Sequence, residues 1–122
     1  MAATFSKVLL SGSTNGKAVK VAATATAGTT IHATGTSATI LDEIWIYAVN
    51  SSASSVKLTI EWGEATAPDG NIEVTVLPEA GLVTIIPGLV LSGTGSAATT
   101  VKAFAGTANV IMLSGYVNRI TP

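Results

Sequence analysis

A chain of 122 residues is about one domain of sequence and can bury a core without staples; its lack of cysteine excludes disulfides, thiol catalysis and cysteine-ligated zinc together. Hydrophobic residues make up 48% and charged residues 11%, against roughly 25% charged in ordinary soluble domains. The formal net charge is −1, and Lys7, Lys17, Lys20, Lys57, Lys102 and Arg119 are scattered, which excludes the clustered basic surface that nucleic-acid binding needs.

With mean hydropathy of +0.55, the surface must consist largely of Ala, Thr, Ser and Gly with apolar side chains among them. Sparse charge gives weak colloidal repulsion, so lasting contact with another protein is the expectation: a subunit of an assembly. Met1–Lys7 shows no basic region followed by an apolar stretch, so no secretory signal is expected, and residues 1–6 read as an extended arm. The longest apolar stretch, Leu82–Leu91, is broken by Thr84, Pro87 and Gly88 and falls short of the ~20 residues of a spanning helix. The expectation is a protein made in the cytoplasm without a membrane partner.

Along the chain the hydrophobic period is two. Strands are predicted at about 5–11, 17–24, 29–34, 40–49, 55–62, 71–77, 82–90, 99–105 and 109–118. In the fifth, Val56, Leu58, Ile60 and Trp62 alternate with Ser55, Lys57, Thr59 and Glu61. Abundant Val and Thr, and no 3.6-residue stripe, favour strands over helices. Eight or nine strands at this spacing predict a single all-β domain over residues 1–122, an antiparallel sandwich resembling a jelly roll.

Between the first two strands, Gly12-Ser13-Thr14-Asn15-Gly16-Lys17-Ala18 superficially resembles a phosphate loop. It has three residues between its glycines instead of four, and Ala18 where a hydroxyl is needed, so Asn15-Gly16 reads as a hairpin turn. The Ala/Thr/Gly stretch from Ala22 to Thr39 reads as weakly specified strand rather than linker, because Thr29–Thr34 keeps β character. It contains His32, the only histidine, for which Ser11, Thr30 or Asp42 are conceivable partners; a structural or surface role is expected.

Ile40–Val49 and Val110–Val117 are apolar on both faces. Such a strand is covered on both sides, either by its own loops or by the sandwich on one face and a neighbouring subunit on the other. Asp42 and Glu43 should point to opposite faces, which rules them out as a catalytic carboxylate pair unless a bulge intervenes. Asn50-Ser51-Ser52 matches a glycosylation sequon but reads as a Ser-rich loop. Glu61, Glu64, Asp69 and Glu73 surround one turn without the spacing of a calcium loop. Pro68-Asp69-Gly70-Asn71, Pro78–Gly81 and Ser92–Ser96 supply the later turns. No catalytic residue, metal site or cofactor is expected.

Between Val56 and Ile120, about half the chain, the segments Val56–Gly63, Pro78–Leu89 and Thr107–Ile120 resemble small virion proteins of tailed bacteriophages, in particular jelly-roll capsid decoration (cement) proteins. The resemblance rests on general texture. It implies a non-enzymatic homo-oligomer, dimer or trimer, on the exterior of the head, bridging copies of the major capsid protein. The alternative is a tail or fibre module binding host carbohydrate through Trp45 or Trp62. Leu82, Ile86, Leu89, Val90, Ile111, Leu113 and Val117 are the expected contact residues, with Val83 and Ile85 nearer to core.

Overall fold

In the computed structural model, which describes residues 2–122, nine strands follow one another, with no helix among the described residues and so none that could cross a membrane. They are β1 (Thr4–Leu9), β2 (Val19–Lys20), β3 (Thr29–Ala33), β4 (Leu41–Asn50), β5 (Val56–Trp62), β6 (Asn71–Val76), β7 (Val83–Ser92), β8 (Thr100–Ala105) and β9 (Ile111–Thr121). Two antiparallel sheets form a β-sandwich. Sheet A has the order β1-β9-β4-β7, with β2 also on β9; sheet B has the order β3-β8-β5-β6.

The core follows from strand parity. From sheet A, Ile44, Ile46 and Ala48 of β4 point inward beside Ile111, Leu113 and Val117 of β9. From sheet B, Leu58 and Ile60 face them, opposite the small Ala105 and Ala103 of β8, so large side chains interdigitate with small ones. Burying each Leu, Ile or Val in this layer stabilises the fold by about 1.5–3 kcal/mol relative to leaving it exposed.

Two readings need correction. The Asn15-Gly16 turn forms, with both residues at positive φ (56° and 81°) and Lys17 N–H donating to Thr14 O at 3.0 Å, yet it makes no hairpin. β1 and β2 pair not with each other but with successive stretches of β9, Leu9 opposite Tyr116 and Val19 opposite Leu113. The predicted second strand therefore shrinks to two residues, because the chain leaves β9 after Val21. Of the predicted arm, Met1 lies outside the described residues, and Thr4–Ser6 belong to β1, opposite Thr121, Ile120 and Arg119.

The Ala22–Thr39 segment is held at defined points. Ala105 N–H donates to Ala23 O (3.0 Å), and buried Glu61 accepts from Thr26 Oγ1 (2.8 Å) and the Gly28 amide (2.7 Å). A carboxylate with 1% exposure is thus satisfied by the loop that covers it.

Candidate interaction face

The only histidine is fully buried, and both ring nitrogens are engaged. Ser11 N–H donates to His32 Nδ1 (3.0 Å), which leaves the ring proton on Nε2, donated to Asp42 Oδ2 (2.8 Å). Arg119 donates to the same carboxylate from Nε (2.8 Å, Oδ1) and Nη2 (2.9 Å, Oδ2). Burial pushes the Asp42 carboxyl up, but the hydrogen bonds from Arg119 and His32, with the Arg119 charge, outweigh it and hold the group below the usual carboxylate range. Arg119 is raised in turn, first by its bond to Asp42. Because Nδ1 already accepts a backbone amide and Ser11 Oγ accepts from Ala33 N–H (2.7 Å), this group is not arranged as nucleophile and base. It ties β3, β4, β9 and the β1–β2 loop together.

Other polar motifs resolve in the same structural way. Asn50 donates from Nδ2 to Ser54 O and Val76 O and accepts from Ser52 N–H and Oγ, so its sequon amide is committed to the fold. Among the described residues the four acidic groups of the 61–73 region do not converge: Glu61 faces the 22–28 loop and Glu73 pairs with Lys57 at 2.7 Å.

The outward side of sheet A is different. Directly opposed residues share a face, so register defines rows across the strands. Phe5, Ile120 and Leu41 form the first, on β1, β9 and β4. Lys7, Asn118, Glu43 and Val90 form the second, extended onto β7. Leu9, Tyr116, Trp45 and Pro87 form the third. Phe5 (69%), Leu9 (54%) and Leu41 (38%) are exposed large hydrophobics.

Within these rows the aromatic rings are ordered by neighbours. Trp45 stacks on Tyr116 with centroids 6.1 Å apart and planes within 13°, while Lys7 Nζ sits 4.8 Å from the Tyr116 centroid. On the far side Trp45 lies over Gly88, where a Cβ would come within 2.8 Å of the indole and where φ is +84°. Glu43 accepts from Asn118 Nδ2 (3.0 Å) and Trp45 Nε1 (2.7 Å), bonds that hold its carboxyl below its ordinary value against slight burial. Tyr47, in the next row, has its phenol raised by burial and by the nearby Tyr116 phenol. Trp62 instead packs against the core.

The expected contact residues divide. Ile86 (1%), Ile111, Leu113 and Val117 (0% each) are core, a correction with a simple cause: they have the inward parity of β7 and β9. Val83 and Ile85 are half-buried, and of the two Ile85 packs against the core. Leu82 (60%), Leu89 (43%) and Val90 (46%) are exposed along β7, the edge strand of sheet A. The sequence reading missed the opposite parity of β9, Met112, Tyr116 and Ile120, which faces outward with Trp45. A usable signal existed: Gly115 shares the parity of Ile111, Leu113 and Val117, and a Cβ there would collide with the Trp45 carbonyl oxygen, marking the tightly packed side of the strand.

Comparison with protein families, curated sequences and solved structures finds no match to this chain.

Proposed function

We propose that this chain is a non-enzymatic structural protein of a tailed-bacteriophage virion, a decoration subunit that binds the major capsid protein on the head exterior. The observation that carries the reading is the free edge of β7. β7 presents unpaired backbone groups along one side, interrupted at Pro87, which has no N–H, and at Gly88, where the pairing with β4 is bulged, with Leu82, Leu89 and Val90 exposed nearby. Such an edge accepts a strand from a partner, and its apolar side chains add burial worth roughly 25 cal/mol per Å². Repetition over many capsomers multiplies a modest contact.

The winding supports the same reading. With β1 and β2 counted as one interrupted strand, the eight strands run 1-8-3-6 in one sheet and 2-7-4-5 in the other, an order that supports reading the sandwich as a jelly roll, an architecture that capsid domains use. This is analogy at the level of fold. A carbohydrate platform draws less support: Trp45 and Tyr116 spend ring faces on each other, on Gly88 and on Lys7, and Trp62 packs inward.

The test is sedimentation of purified protein with decoration-free capsids of its phage. Wild type should co-sediment, and Leu89→Asp should lose binding while keeping its circular dichroism spectrum and melting temperature. Absence of wild-type binding overturns the proposal; unimpaired binding by a folded Leu89→Asp removes the β7 edge from it.

A further inference from the structure

We infer that the outward face of sheet A is a self-complementary interface, through which two copies of this chain pair face to face about a two-fold axis running along β9. The inference concerns a different surface from the β7 edge and does not depend on what that edge binds.

The argument rests on where the two charges of the face lie. Lys7 and Glu43 occupy one row, on β1 and β4, the two strands that flank β9. Neither has an ion-pair partner in its own chain among the described residues: Lys7 rests on the Tyr116 ring, and Glu43 is bonded only by the neutral Trp45 and Asn118. Neighbouring strands lie about 4.8 Å apart, so the Cα atoms of Lys7 and Glu43 stand at equal and opposite offsets from β9, and both side chains lean toward it, Lys7 onto the Tyr116 ring and Glu43 onto Asn118. A two-fold axis along β9, in the plane between two stacked copies, preserves the row and exchanges left for right. It therefore sets Lys7 of each copy against Glu43 of the other, twice over, as an isologous interface requires.

The same operation matches the flanking rows. Phe5 of one copy meets Leu41 of the other with Ile120 on the axis, and Leu9 meets Trp45 with Tyr116 on the axis. Phe5 and Leu9, the most exposed apolar side chains of the three overlapping strands, are thereby covered. Stacked sheets cross at about 30°, which moves groups about 5 Å from the axis by some 2–3 Å, within reach of a lysine side chain. β7 lies two strands from the axis and stays outside the overlap, so the pair presents one free β7 edge on each flank.

The overlap is three strands wide, roughly 400 Å² of flat footprint per copy and about 800 Å² in total, below the roughly 1,200–2,000 Å² of stable interfaces, so the pair is weak and should dissociate on dilution. Native mass spectrometry and sedimentation velocity over a dilution series test this with Lys7→Glu and Glu43→Lys. Wild type should pass from dimer to monomer on dilution. Each single variant makes the facing charges alike and should weaken pairing by about tenfold or more. An equimolar mixture of the two variants restores opposite charges across the interface and should form a heterodimer, which repair within one chain does not explain. Because Glu43 also binds Trp45 and Asn118, Phe5→Glu, at a position 69% exposed, provides a second disruption and should weaken pairing likewise. Wild type that stays monomeric at every concentration overturns the inference, including where it binds capsids as a monomer. Self-association untouched by Lys7→Glu and Phe5→Glu, or a mixture that stays monomeric, overturns it too.

Discussion

Asp42 concentrates the electrostatics of the fold in one side chain. It is 1% exposed and anionic, with Arg119 and His32 supplying three donated bonds. Removing one partner of a buried pair leaves a charge without compensation, at a cost of several kcal/mol. Arg119→Ala should cost about 2–3 kcal/mol, below the full figure because the Arg119 side chain is 31% exposed and water screens it, measured as a shift in urea midpoint at neutral pH. The pH dependence follows from the lowered Asp42 group. A carboxyl lower in the folded than in the unfolded chain stabilises the fold above its ordinary value near 3.8, and that stability is lost as pH falls through its folded value. Chemical denaturation should therefore show an acid limb below about pH 4 that is smaller in Arg119→Ala; equal limbs would show that Asp42 does not control it. The sequence places Asp42 on one parity and His32 ten residues away, and both were visible. Arg119 was not, because it reaches Asp42 across 77 residues of chain and periodicity carries no register.

At the scale of elements, β1 is the outlier. Five of its six residues are exposed, and it is held by pairing with β9 alone, whereas β4 is flanked on both sides. A strand with few buried contacts opens at low free-energy cost. Amide hydrogen exchange should be faster by orders of magnitude at Ser6 and Val8 than at Ile44 and Ile46; uniform protection would mean that β1 is held more firmly than its pairing implies. β5 was legible by alternation alone, through Val56, Leu58, Ile60 and Trp62, although of its other face only Lys57 is exposed, Thr59 and Glu61 being buried. β2 was overread, since a turn such as Asn15-Gly16 declares its φ values but not which strand receives the chain afterwards. The double-sided apolar runs of β4 and β9 did signal central strands, while leaving open which parity of β9 faces out.

For the whole molecule, composition and period were enough for two antiparallel sheets around one core, because that class follows from alternation and turn spacing. Strand order was not, since it depends on long-range pairing. β9 is the last strand in sequence, yet it sits between β1 and β4 and also receives β2, so most of sheet A is organised around residues 111–121. During synthesis, an emerging chain would hold β4 with the edge that β9 later pairs still open until residues 111–121 left the ribosome. Closing so many distant contacts at once belongs to the slow, millisecond-to-second regime of folding. Until it closes, the open β4 edge would be a target for chaperones or for strands of other nascent chains.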